Sequence, residues 1–253
     1  MDKFRKIMGV ALVSGMVISG LGGIGTTQAN ADEMRAHSYV KALQAEPIKK
    51  GIGGRSILNS TGSVLTTKVT LPEIKNNNGT LKAKGGELYI YSGFSGPVES
   101  DIGFLYSETY NVWKPYMKVG GNKEPIYIEG KDEFTNLNGF KPGTEVQLTI
   151  YKNLNGNTRA TYWGTNGKGY TGRLISEMKN TNISKVNNWK ALSTIAVKDD
   201  SQTKNIKVNT QYRATFSDIL IDNKPVNPIS NATEFAKIYT NNNKVSIDII
   251  EKK

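Results

Sequence analysis

Short segments whose apolar residues fall at every second position recur along most of the chain. "GSVLTTKVTLP", "ELYIYSGF" and "EVQLTIYK" carry the pattern most cleanly. In the second, Leu88 and Ile90 share one side, and Tyr89 and Tyr91 the other. In the third, Val146, Leu148 and Ile150 oppose Gln147, Thr149 and Tyr151. A repeat of two belongs to a strand with one buried face. "RATYWG", "GRLISEM", "KALSTIAVK", "YRATFSDILID" and "KVSIDII" continue the series, and "KNNNGT", "GGNKEP", "NLNG", "DNKP" and "TNNN" supply turns between them. Strands spaced by roughly ten residues, with almost no helical periodicity, indicate an all-β sandwich or barrel. One apolar and one polar, aromatic face per strand imply two antiparallel sheets packed core to core. The expectation is a concanavalin-like jelly-roll sandwich, one domain over 51–253, with a concave outer face on one sheet.

Three segments resist that simple reading. "EFAKIYT" near the end is either one helical turn or a strand. "GIGGR", 51–55, resembles a phosphate-binding glycine loop, but no helix follows it. It reads as a bend into the first strand. "GTNGKGYTGR", Gly164 to Arg173, reads as a hairpin turn.

The N-terminus has a different character. "MDKFRK" is basic, "IMGVALVSGMVISGLGGIG" is apolar, and Ala29-Asn30-Ala31 is a small-x-small cleavage pattern. This is the form of a secretory signal peptide cut after Ala31. A secreted protein, extracellular or wall-associated, is expected, with no stable membrane insertion once the signal is removed. Residues 32–50 read as a tail or linker. The chain has no cysteine, which fits export from a Gram-positive bacterium better than a disulfide-stapled eukaryotic domain. The formal charge is +11, and the signal carries Lys3, Arg5 and Lys6 against Asp2, which leaves +9. A basic secreted protein is drawn to anionic surfaces, although these lysines are spread along the chain rather than blocked.

The titratable residues exclude several chemistries. The one histidine, His37, sits in the tail, so a Ser-His or Cys-His triad within the domain is ruled out, as is a zinc site of the usual kind. "ESDIGFLYSETYNVWKPYMKV", 99–119, opens with Glu99 and Asp101, two carboxylates on one face of a strand. Laminarinase-like glycoside hydrolases carry such a pair plus a third acid further along the strand. Here the third position falls at Gly103 or Phe104 and is missing, so Glu99 and Asp101 are only fallback catalytic candidates. A lyase using tyrosine as base beside Arg and Lys stays open. No cofactor is expected. A structural calcium would draw on Asp199, Asp200, Asp218 and Asp222, which do not have EF-hand spacing.

The aromatic residues point to binding. Alternation sets Tyr89, Tyr91, Tyr151 and Trp163 on non-core faces. Trp113 and Tyr116 lie on opposite faces of their strand, so only one can join them. With Lys114 and Arg159, the candidate ligand-binding set is Tyr89, Tyr91, Trp113, Lys114, Tyr151, Arg159 and Trp163. Flat rings beside polar side chains suit a sugar. A non-catalytic module that binds a polysaccharide or cell-wall polymer is the leading reading, with a monomer and no nucleic-acid partner expected. A diverged glycoside hydrolase or polysaccharide lyase, and an extracellular structural or matrix protein, are the alternatives.

Long blocks in order, "GIGGR…LNSTGSV", "YIYSGF", "DIGFLYS…YNVWKPYMKVG", "YIEGKDEF" and "TIYKNLNGNTRATYWGTNGKGYTGR", resemble the YrpD/YncM-like family of secreted Bacillus proteins of unknown function. The resemblance runs from about Gly51 to the C-terminus. It implies export and is compatible with a concanavalin-like sandwich. It transfers no catalytic residue.

Overall fold

The computed structural model describes residues 48–74, 83–84, 86–122, 124–135, 137–209 and 211–253. The expected signal peptide with its cleavage at Ala31, and the tail up to residue 47 with His37, lie outside these residues. The strands are β1 (Gly51–Leu58), β2 (Val64–Thr70), β3 (Ala83–Lys84), β4 (Glu87–Ser95), β5 (Ser100–Ser107) and β6 (Val112–Val119). They continue with β7 (Ile126–Glu129), β8 (Glu145–Leu154), β9 (Asn157–Thr165), β10 (Thr171–Met178), β11 (Asn188–Ala196) and β12 (Lys207–Val208). The last are β13 (Tyr212–Ile221), β14 (Lys224–Pro225), β15 (Pro228–Ala232), β16 (Ala236–Asn241) and β17 (Lys244–Ile249). A single helical turn, α1 (Lys131–Phe134), anchors the buried Phe134, and a short 3-10 helix spans Asp200–Asn205. Among the described residues, no helix is long and apolar enough to cross a membrane.

The protein is an all-β sandwich of antiparallel sheets, as the alternation predicts. One sheet has six strands in the order β15-β1-β11-β4-β5-β6. The other runs β16-β17-β13-β2-β8-β9-β10-β7, with β14 paired to β13. A two-stranded ribbon, β3 with β12, lies apart. "EFAKIYT" is resolved as strand, since β16 pairs with β17 from Ala236 to Asn241. "GTNGKGYTGR" is a hairpin turn: the Asn166 Oδ1 accepts hydrogen bonds from the backbone N–H of Lys168 and Tyr170.

"GIGGR" is not a bend but the first half of β1, paired along its length with β11 and, from Gly54 onward, with β15. Its glycines reflect close strand approach rather than a turn. At Gly53 (φ 149°), a Cβ would stand 2.3 Å from the Ser193 carbonyl oxygen.

The core forms where the inward residues of both sheets meet. Ile52, Leu88, Ile90, Ile102 and Phe104 of the six-stranded sheet face Leu65, Val146, Leu148, Ile150 and Tyr162 of the other. Phe104 sits edge-on to Phe140 at 5.5 Å and to Tyr162 at 5.6 Å. Offset and edge-to-face pairs of this kind add to the stability from burial alone. Trp113 belongs to this core. It is 0% exposed, and its indole N–H donates to the Pro72 carbonyl at 3.2 Å. The expectation that Trp113 contributes to a ligand surface is therefore wrong, because the alternation of β6 turns it inward.

Candidate functional site

The outward residues of the six-stranded sheet form one continuous surface, and register fixes which of them meet. One row across the sheet reads Arg55 on β1, Leu192 on β11, Tyr91 on β4, Gly103 on β5 and Tyr116 on β6. The next row carries Thr194, Tyr89, Leu105 and Lys114. Leu192 and Thr194 are buried although they point away from the core. Arg55, Tyr89, Tyr91, Lys114 and Tyr116 are partly accessible. With Trp113 turned inward, Tyr116 is the residue of β6 that joins this face, beside Lys114.

The three tyrosines pack as a cluster. The Tyr89 ring meets Tyr91 at 6.2 Å and Tyr116 at 5.0 Å, both edge-on. The Tyr89 hydroxyl donates to Glu87 at 2.6 Å. Burial pushes the Tyr89 phenol far above its ordinary value, and the Glu87 contact adds to the shift. Burial also raises Tyr91 and Tyr116, with Asp101 the next cause for each. All three phenols keep their protons at neutral pH, and those of Tyr91 and Tyr116 can donate hydrogen bonds to a ligand. The Arg55 Nε is buried beside them without a hydrogen-bond partner.

Below the cluster lies a buried lysine. Lys190, on β11, is 1% exposed yet points out of the core. Its Nζ stands 2.9 Å from Asp101 Oδ1 and 3.4 Å from Glu99 Oε2. It also lies 5.9 Å from the centre of the Tyr91 ring. The two carboxylates that suggested a hydrolase thus share one ammonium. A hydrolytic pair needs one carboxyl to give a proton to the leaving group and the other to attack. Here both are held as partners of Lys190. The signal for Lys190 was present in "NWKALSTIA", where Leu192 and Thr194 stand on the same side as the lysine. A strand apolar on both sides is a covered, central strand, and a charge within it must find a partner.

The structure places Tyr151, Arg159 and Trp163 elsewhere. They lie on the outer face of the second sheet, so the candidate set is split between two surfaces and does not form one platform. Trp163 is 52% exposed, in register between Gln147 and Arg173. Arg173 pairs through two nitrogens with Glu129, at 2.9 and 2.8 Å. Arg159 is engaged by the buried Glu177, at 2.6 Å. Tyr151 borders an open groove with Val64, Thr66, Thr149, Asp222 and Asn223.

The aspartates suggested as calcium donors each have a protein partner. Asp222 accepts from the backbone N–H of Ser63 and Val64, and Asp218 pairs with Lys68 at 3.0 Å. Asp199 caps the 3-10 helix through the N–H of Ser201, and Asp200 accepts from the Thr203 hydroxyl. Among the described residues, no group of three or more His, Cys, Asp or Glu side chains converges as a metal site would require.

A family model described as "Domain of unknown function, YrpD" matches residues 45–249. The chain belongs to the YrpD family. The uncharacterised protein YrpD of Bacillus subtilis (strain 168) is 50% identical over 212 residues, covering 83% of this chain and 86% of that relative. Among solved structures, scytalido-glutamic peptidase with a peptide-based transition state analog aligns at a TM-score of 0.48 and 10% identity. That alignment covers 79% of this chain and 98% of the peptidase chain. SCP-B, a member of the Eqolisin family of peptidases, in complex with the tripeptide Ala-Ile-His, aligns at 0.44 and 10% over the same shares. Likeness at this level does not reach the residues of either face of the YrpD sandwich.

Proposed function

We propose that this YrpD-family protein is exported after Ala31 and binds a saccharide, without cleaving it, on the outer face of its six-stranded sheet. The observation that carries this reading is the partly exposed cluster of Tyr89, Tyr91 and Tyr116. Partly exposed rings offer apolar faces to the C–H side of a sugar, and the phenols of Tyr91 and Tyr116 donate to its oxygens. Catalysis finds less support, since Glu99 and Asp101 are both engaged by Lys190. Charge refines the ligand class. Arg55, Lys114 and Lys118 are interspersed with Glu87 and Glu99 on and around this face. That mixture favours a neutral or mixed-charge glycan over a polyanion.

The test is binding of the full-length protein, as secreted, to a panel of neutral and acidic polysaccharides and to purified cell wall, with reducing and unsaturated ends measured in the same tubes. Tyr91→Ala and Tyr116→Ala are expected to weaken binding by about tenfold or more, the size of a hot-spot aromatic. Trp163→Ala is expected to leave it unchanged. The reverse pattern would move the binding face to the second sheet. New chain ends, or no binding to any member of the panel, would overturn the proposal.

A further inference from the structure

Lys190 and Asp101 sit on strands that are not neighbours. β4 runs between β11 and β5, and the lysine must cross it to reach the aspartate. It does so over Gly93, its register partner on β4. A side chain at 93 has no room: a Cβ there would stand 2.2 Å from the Ser100 carbonyl oxygen. The Lys190 side chain has left water almost entirely, and two carboxylates and an aromatic ring stand beside its ammonium. The 2.9 Å contact with Asp101 is not aligned as a hydrogen bond, and the buried Oδ1 accepts none from any other group.

We infer that Lys190 and Asp101 form an intramolecular amide, a covalent cross-link between β11 and β5, with Glu99 as the proton relay. A contact of this length brings Nζ close to the ~3–3.5 Å separation at which an amine can attack the carboxyl carbon. In the step, the Nζ lone pair attacks Cγ of Asp101, the N–C bond forms, and one Cγ–O bond breaks. Of the three hydrogens of the ammonium, one stays on the amide nitrogen. The other two leave with the departing oxygen as water. Glu99, 3.4 Å from Nζ, takes a proton from nitrogen and returns it to that oxygen, ending as it began. No oxidant or cofactor is needed. The chain contains no cysteine, so this bond would supply a covalent brace that a disulfide cannot.

The inference is independent of the saccharide reading and is tested by a different quantity. The intact mass of the purified full chain is measured, with its N-terminus sequenced so that the comparison mass matches the chain present. The expected result is a deficit of about 18 Da, one water, together with a branched proteolytic peptide joining the segments around residues 101 and 190. Lys190→Arg and Asp101→Ala should restore the full sequence mass, and Glu99→Gln should leave a larger fraction of the purified chain at the full sequence mass than wild type. A wild-type mass equal to that of the sequence overturns the inference, whether or not the variants fold. So does a deficit of the same size without the branched peptide.

Discussion

Trp113 and Tyr116 are three residues apart on one strand, and that spacing sends them to opposite sides of it. The sequence allowed either one to face a ligand. Neighbouring rings decide: Trp113 packs against Tyr106 at 5.1 Å inside the sandwich, whereas Tyr116 meets Tyr89 outside it. The two should therefore separate stability from binding. Trp113→Ala is expected to lower the unfolding free energy by about 3–5 kcal/mol, the usual loss for a fully buried aromatic. Tyr116→Ala, on a partly exposed face, is expected to lower it by about 1 kcal/mol, near the centre of point-mutant effects. Urea denaturation of both variants checks this. A Tyr116→Ala loss as large as that of Trp113→Ala would make Tyr116 a core residue and remove it from the binding face.

β4 shows how one strand prepares a site on each side of itself. Its inward residues Leu88, Ile90 and Phe94 build the core, its outward Tyr89 and Tyr91 build the cluster, and Gly93 clears the path of Lys190. Gly93→Ala is expected to destabilise the protein by about 1–3 kcal/mol, because the added methyl meets backbone that cannot retreat without shifting β5. The same variant should reduce the water-loss product, since Lys190 and Asp101 would be moved apart. Equal melting temperatures for wild type and variant would show that β5 yields freely. The inward and outward residues of β4 were legible in the sequence, because a strand's period is local. What was not legible is the sheet each strand joins. Tyr91 and Tyr151 carry the same alternation signal, yet β4 and β8 lie in different sheets through pairings that span much of the chain. For the same reason Glu99 and Asp101 could be seen as a pair, but Lys190 could not be seen between them. "GIGGR" misled for a related reason: glycines that mark a turn in isolation here mark strands pressed together.

At the scale of the whole molecule, the sandwich holds acids in its sheets that a net charge of +11 makes important. Glu177 on β10 and Asp248 on β17 are buried, each beside arginine. Asp248 bonds Arg213 at 2.6 and 2.8 Å. For Glu177, burial pushes the carboxyl up, but hydrogen bonds from Lys179 and Arg159 outweigh it and hold the group below the usual carboxylate range. A carboxyl lowered in the folded state contributes stability that is full above its unfolded value, about 4.3 for Glu, and is lost as pH falls toward and through the folded value. Protonation at low pH also leaves the protein's many lysines without opposing charge, which adds repulsion to the folded state. Glu177→Gln is thus expected to destabilise the protein at pH 7 by about 1–3 kcal/mol, the range for a broken buried hydrogen-bond partner. The loss stays moderate because Arg159 and Lys179, with side chains 33% and 52% exposed, can turn to water. At pH 3 the gap between variant and wild type should narrow, because the wild-type carboxyl no longer offers its full charge to either cation. Denaturant unfolding of both proteins at the two pH values measures it. A gap that stays constant between them would mean that Glu177 stabilises the fold by its shape and packing, and not by its charge.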